Sequence, residues 1–599
     1  MNFINSESGY DFKDLFDPQR LKDLSEDFYR FFQNKDGINY NKFVSYRDSK
    51  GVGLSESQIS DILINASLVL NDFLIALFQL ENYREKFLSE TEYEKKVLEL
   101  KNYFQKKIIK KFKNEIVNYE DWKSLNSFIT KIRTAFGPDT MDDKEKAISE
   151  FVIDLVEIEK NYRWFFDGDK FAPENFTIPE EIKNKADNLI TLVKSAESDN
   201  YMNIKDDTSD TEIIKLLLSV TEKWIFAKKL HDKDTTGWVI FSESEKLDFS
   251  NLVKHVNPDP ELPELIKAPD FKVHYRNGFK LTDRRMNKRQ IHNEIDYCIY
   301  CHGREKDSCS KGLFDKDKKL KLNPLKIELS GCPLNEKISE MHFVRKQGLP
   351  IAALALVVID NPNLPGTGHR ICNDCMKSCI YQTQEPVNIP EIETSVLTDV
   401  FKLPYGFEIY SLLTRWNPLN IKRPFSLPYN GKHIMVVGMG PAGYTLAHYL
   451  LNEGFAVTGI DALKIEKVNS EYTGSKDSKG FIQFPEPVKY FNEEIQKELD
   501  ERVLQGFGGV SEYGITVRWD KNFLTAIYIN LARREFFSLY DGVRFGGTIT
   551  IEDAWDLGFD HIAIATGAGK PTVINIKNNL ITGIKKASDF LMSLQLTGA

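Results

Sequence analysis

Cysteine is missing from most of this 599-residue chain: all seven lie between Cys298 and Cys379. An odd number of clustered thiols in a large chain fits metal ligation in a reducing compartment better than a disulfide framework. The N-terminus, MNFINSESGYDFKD, lacks a basic segment followed by an apolar one, so nothing there directs secretion and a cytoplasmic protein is expected. No basic patch interleaved with aromatics occurs and the formal charge is -9, which argues against a nucleic-acid partner. Long hydrophobic runs are few. Ile62 to Leu80 is broken by Asn65, Asn71 and Asp72, and Leu349 to Ile359 is too short to cross a bilayer. Both read as buried helices, and no membrane partner is expected. No internal period recurs, which excludes a repeat architecture.

What is present is enough apolar residue, 41%, for several domains with their own cores. Residues 1 to about 250 carry apolar residues at three- and four-residue intervals, as in DILINASLVLNDFLIALFQL and AISEFVIDLVEIEKNYRWFF. The spacing predicts an all-α domain over 1–255, without cysteine or Gly-rich loop and so without readable chemistry. The Pro-rich stretch HVNPDPELPELIKAP, His255 to Pro269, cannot continue a helix and marks a boundary. A helical cysteine domain is expected over 270–423. A second punctuated stretch, RWNPLNIKRPFSLPYNGK, leads into a Rossmann-type α/β domain over 424–599.

The thiols form two groups, Cys298, Cys301, Cys309 and Cys332, then Cys372, Cys375 and Cys379, separated by the apolar stretch ISEMHFVRKQGLPIAALALVVI. A Cys-x-x-Cys turn lets two thiolates converge on one centre, and Pro333 follows Cys332 as proline does in ferredoxin-type runs. Structural zinc is the alternative, with His302 and His369 as further donors. By default those two histidines are surface or supporting residues, and Arg370 beside Cys372 either pairs with an acid or raises a centre's potential.

HIMVVGMGPAGYTLAHYLLNEGFAVTGID reads as strand, Gly-rich turn, helix and strand, ending on an acid. Gly438, Gly440 and Gly443 occupy the G-x-G-x-x-G positions, with Pro441 and Ala442 between them. Gly438 permits the turn, Gly440 lets a pyrophosphate approach the backbone, and Gly443 lets helix and strand pack. Asp461 stands where it can accept hydrogen bonds from a ribose. His448 and Tyr449 on the following helix read as packing residues.

GCPLNEKISEMH, NPNLPGTGHRICNDCMKSC and EPVNIPEIE together are similar to the iron–sulfur domain of the glutamate synthase small subunit, a domain that also occurs in dihydropyrimidine dehydrogenase. The resemblance runs from about Asn277 to Leu591. It implies two 4Fe-4S clusters, one on Cys298, Cys301, Cys309 and Cys379, the other on Cys332, Cys372, Cys375 and Glu393. The count agrees, since two cubanes need about eight ligands and seven thiolates plus Glu393 supply them. The resemblance also makes the nucleotide FAD. FDHIAIATGAGKP, with Ala565, Thr566 and Gly567, resembles the segment that returns the chain to the flavin. GFGGVSEYGITVRW, with Gly508, Gly509, Tyr513 and Gly514, resembles a loop near its ring.

In that family NAD(P)H reduces the flavin and electrons pass on singly through the clusters to an acceptor protein or subunit. The nicotinamide site follows the stretch matched here by NNLITGIKKASDFLMSL. The chain reaches Ala599 soon afterwards, so a fragment of a longer protein is expected, with NAD(P)H bound by a domain outside this chain. The expectation is an FAD-dependent iron–sulfur oxidoreductase. Its rival is a non-catalytic scaffold with structural zinc and a nucleotide-sensing Rossmann fold.

Overall fold

A computed structural model describes residues 4–5, 8–136, 142–167, 171–173, 176–195, 201–205, 207–269, 280–282, 284–369, 371–477, 480–501, 519–567, 572–587, 589–590 and 593. The chain forms two compact units, one of residues 1–88 with 246–599 and the other of residues 89–245. This corrects the single helical domain expected over 1–255. Its first 88 residues share a core with the cysteine region and the α/β part, which themselves are not separate at residue 424.

In the first unit, helix Pro18–Lys35 starts where Asp17 accepts hydrogen bonds from the amides of Gln19 and Arg20, with proline at the first position. It buries Leu21, Leu24, Phe28 and Phe32, one stripe at helical spacing. Helix Glu56–Phe78 opens on a capping box between Ser55 and Gln58 and closes on Gln79 in the left-handed region. By length and composition it could cross a membrane, yet Leu63, Ala66, Leu70 and Leu74 lie in the protein core. Specific polar contacts tie these helices to the rest of the unit. Trp416 Nε1 donates to Ser25 Oγ at 2.8 Å, and Arg415 Nε donates to the Leu15 carbonyl at 3.2 Å.

The cysteine region is helical, with helices Lys288–Tyr297, Ile338–Lys346, Pro350–Asp360, Ile389–Phe401 and Gly406–Arg415. Pro350–Asp360 is apolar all round and buried throughout its first nine residues, as a central core helix must be. The expected Pro-rich linker is exposed and closes on itself through a bridge between Val256 and Lys267.

The α/β part is a parallel sheet of β1 (His433–Val437), β2 (Ala456–Ile460), β5 (Phe537–Tyr540) and β6 (His561–Ile564), in the order β5-β2-β1-β6. A short hairpin, β3 (Ser475–Asp477) with β4 (Gly480–Gln483), lies in the connection. Helix Pro441–Asn452 crosses from β1 to β2, giving the βαβ unit that the sequence predicts. From β1 the chain goes first to β2 and β5 on one side and then returns to β6 on the other. The carboxyl ends of β1 and β6 therefore flank the point where strand order reverses, the usual place for a ligand in an open α/β sheet.

The second unit is all-helical. Helices Tyr119–Phe136, Lys144–Phe166, Glu180–Ser195 and Asp210–His231 enclose Leu100, Phe104, Ile129, Val152, Leu155, Ile158, Leu217 and Ile225. Glu145 is buried but accepts the Ile240 amide at 2.9 Å.

Candidate functional site

The glycine turn sits at the switch point between β1 and β6. Gly438 has φ +92°, and a Cβ there would lie 2.6 Å from the Ala565 carbonyl oxygen on the returning segment. A Cβ on Gly443 would lie 1.9 Å from the Gly438 carbonyl oxygen. Both positions exclude any side chain because backbone fills the space. Gly440 differs, since among the described residues, its chain neighbours aside, nothing stands within 4 Å of where its Cβ would be. Its open side leads to the N-terminus of helix Pro441–Asn452, which no side chain caps among the described residues. Amides there face outward and the helix dipole favours an anion, as a pyrophosphate requires. Pro441, Ala442, Thr566 and Gly567 are exposed along this edge.

Asp461 follows β2 and is buried. Its Oδ2 accepts the Met439 amide at 2.8 Å and its Oδ1 accepts the Leu463 amide at 2.9 Å. The carboxylate thus braces the glycine turn, and each oxygen keeps lone-pair capacity for a ribose hydroxyl. The loop with Gly508, Gly509, Tyr513 and Gly514 lies outside the described residues, as does Arg370. His448 is fully buried, whereas Tyr449 is exposed to 43%, so only the histidine is a packing residue.

All seven cysteines are free thiols. Cys298, Cys301, Cys309 and Cys379 line one small cavity together with Ser308, Ser339 and His342. Cys298 ends helix Lys288–Tyr297, whose capping box of Asn287 and Gln290 fixes its start. Tyr300, at φ 52°, turns the chain so that Cys301 follows on the same side. Burial pushes the Cys298 thiol up to about 12 and Cys301 to about 11, with Cys379 adding to both. Burial also raises Cys309, and so do Asp307, Cys298 and Cys379.

The second group gathers on Cys375, which is 9% exposed. Burial holds its thiol well up, and Glu393, Glu336, Cys332 and Cys372 reinforce the effect. Cys332 is pushed up to about 12 by burial and then by Glu336. Glu393 Oε1 accepts Asn361 Nδ2 at 3.1 Å, and its carboxyl is raised by burial. Glu336 is raised by burial and by Glu393. Two buried carboxyls beside the buried Cys375, the half-buried Cys332 and the exposed Cys372 disfavour their own ionised forms. The groups meet through the backbone, where the Cys332 amide donates to the Cys309 carbonyl at 2.9 Å. Gly331 makes that approach possible, since its φ is +80° and a Cβ would lie 2.6 Å from the Ser310 carbonyl oxygen.

The structure thus places Cys298, Cys301, Cys309 and Cys379 around one cavity, while among the described residues no three His, Cys, Asp or Glu side chains converge tightly enough for one metal ion. His302 and His369 are buried rather than surface residues. His302 Nδ1 bonds Ser339 Oγ at 2.7 Å, and His369 Nδ1 stands 3.7 Å from Glu391. Sequence reasoning missed Glu336, Asp307 and His342. The first follows Cys332 by four residues and the second precedes Cys309 by two, a spacing that could have drawn attention to both. Burial and His302 push the His342 imidazole down to about 3, which leaves it neutral.

Residues 6–79 match the RP005 N-terminal alpha-helical domain. A 233-residue stretch is 52% identical to uncharacterized protein RP006 of Rickettsia prowazekii (strain Madrid E), covering 39% of this chain and 31% of that protein. Another of 118 residues is 35% identical to uncharacterized protein RP005 of the same organism, covering 18% of this chain and 37% of that protein. The chain spans about a third of the length of these relatives. Residues 432–594, which hold the glycine turn, β2 and β6, match the pyridine nucleotide-disulphide oxidoreductase family, which supports a redox domain of the FAD- and NAD(P)-dependent kind in this part of the chain.

Proposed function

We propose that this chain is an electron-transfer flavoprotein of the glutamate synthase small-subunit type, in which FAD works beside two 4Fe-4S clusters and NAD(P)H is the donor. Gly438, Gly440, Pro441, Ala442, Gly443, Asp461, Thr566 and Gly567 hold the nucleotide. Cys298, Cys301, Cys309 and Cys379 hold one cluster, and Cys332, Cys372, Cys375 and Glu393 hold the other. The acceptor is a further protein or subunit, and the reducing conditions that free thiols need suit the cytoplasm.

The observation that carries this reading is the ring of four thiols around one cavity, at the positions the resemblance selects. Thiols buried this deeply stay protonated unless a centre of positive charge replaces their protons, and iron supplies such a centre. The second set adds support. Glu336 and Glu393 stand in the same interior, where a cationic centre would favour their ionised forms. When bound, the flavin supplies the conversion of a two-electron donor into single-electron steps. The chain's own part is to cradle the pyrophosphate on amides, orient the ribose through Asp461 and shield the thiols from water.

Anaerobic absorption with iron, sulfide and flavin measured on one sample tests this. About eight iron and eight sulfide per chain with one FAD is the expected result. Zinc without sulfide would overturn the electron-transfer reading and leave the nucleotide site alone.

A further inference from the structure

We propose that His342 is a hydrogen-bond donor to the cluster held by Cys298, Cys301, Cys309 and Cys379, and that it sets that cluster's reduction potential above that of the other. The inference rests on the cluster reading just given.

His342 lies on helix Ile338–Lys346 and is 1% exposed. Neither of its ring nitrogens has a hydrogen-bond partner among the described residues. A buried imidazole without partners loses its hydration and gains nothing in return, so such a residue calls for an explanation. The cavity supplies one, because His342 lines the same small space as the four thiols. Ser308 lines it too, and its buried Oγ likewise has no partner among the described residues. Most of the remaining lining is apolar, from Ile299, Ile380, Val387 and Ile389, and offers neither group an acceptor. Ser339 is engaged by His302, whose amide donates to its Oγ at 3.1 Å. Tyr381, the remaining polar side chain of the lining, donates its hydroxyl to the Tyr297 carbonyl at 3.1 Å, so what His342 shares the cavity with is the four thiols.

A neutral imidazole keeps one N–H. Donated to a cluster sulfur, it withdraws electron density and stabilises the reduced form, which raises the potential. The other set meets the carboxyl groups of Glu336 and Glu393 instead, and Glu393 Oε1 already accepts Asn361 Nδ2 at 3.1 Å. The two sites are thus electronically unequal, and an electron shared between them rests on the Cys298 side.

EPR-monitored redox titration of the anaerobic protein, with iron and sulfide measured on each sample, tests this. In His342→Leu the higher of the two cluster potentials falls while the lower one and the flavin stay put. In His342→Gln, which retains an N–H donor, much of the fall is recovered. Pulsed EPR on wild type grown with isotope-labelled histidine shows a weak histidine nitrogen coupling on one cluster, and needs no variant to fold. Clusters present with both potentials unmoved in His342→Leu, or no such coupling in wild type, overturn the proposal and leave the cluster reading intact. A wild type lacking iron and sulfide overturns both.

Discussion

Residues 89–245 and the cysteine region are both helical, but they bury different things. In the first, the interior is aliphatic and aromatic, and its buried carboxylates are answered within the chain. Glu145 accepts the Ile240 amide, while Glu222 is bonded by Tyr103 and by Lys111 at 2.6 Å. In the second, four thiols ring a cavity, two carboxyls crowd three more, and the His342 nitrogens have no partner among the described residues. Burying such groups costs free energy unless something bonds them. The buried carboxylates of the helical unit are thus answered within the polypeptide, whereas the cysteine region buries thiols and an imidazole whose nitrogens are not.

The largest effect that sharpens this contrast belongs to the glycine turn. In Gly443→Val the new side chain meets the Gly438 carbonyl, which its Cβ would approach to 1.9 Å, so the first turn of the nucleotide helix cannot close on the strand. Flavin retained after purification drops to near zero, while the unfolding transition of residues 89–245 keeps its midpoint. Full flavin occupancy in this variant would mean that the turn is not the nucleotide cradle. Next in size is Leu155→Ala, which empties a fully buried position in the helical unit. It costs about 2–5 kcal/mol in that unit's urea transition, with iron, sulfide and flavin unchanged. A parallel loss of cofactor would show that the two regions are not independent.

Much of this was legible in the sequence because it depends on local rules. The G-x-G-x-x-G frame marked β1, its helix and β2, since Gly443 answers a clash with the Gly438 carbonyl five residues before it, whereas the Ala565 carbonyl that Gly438 meets was not readable locally. Helix Glu56–Phe78 was readable from its apolar run, and so was the buried helix Pro350–Asp360. The division after Leu88 was not. It falls inside the continuous helix Glu81–Tyr103, which contains neither proline nor glycine to mark it. Which thiols share a cavity was also beyond spacing alone, because Cys379 joins Cys298 across some eighty residues, and only the resemblance sorted them. His342 left no local sign, because a histidine in an apolar helix gains meaning only from what the fold sets opposite it.

The smallest effect is a pH dependence that separates the regions by their histidines. His448 lies behind the glycine turn on helix Pro441–Asn452, bonded to Asn452 at 3.2 Å. Burial, reinforced by the Arg534 and Arg415 cations, lowers its pKa to about 3. An unfolded histidine titrates near 6.5, so between about pH 6.5 and 3 the unfolded chain binds the extra proton. His448 therefore lends its full stabilisation above about pH 6.5 and loses it as the pH falls, by about 1.4 kcal/mol per pH unit within that window. His292, lowered to about 4 by burial and Arg345, adds a second contribution of the same sign. In His448→Gln the acid slope of the cysteine and α/β transition becomes shallower by one such contribution, and the gap between wild type and variant narrows as the pH drops from 7 to 5. Melting curves at a series of pH values measure this directly. Wild-type and variant curves that run parallel across the range would place a charged, hydrated imidazole behind the turn, and the nucleotide site would then rest on a wetter interior than its packing describes.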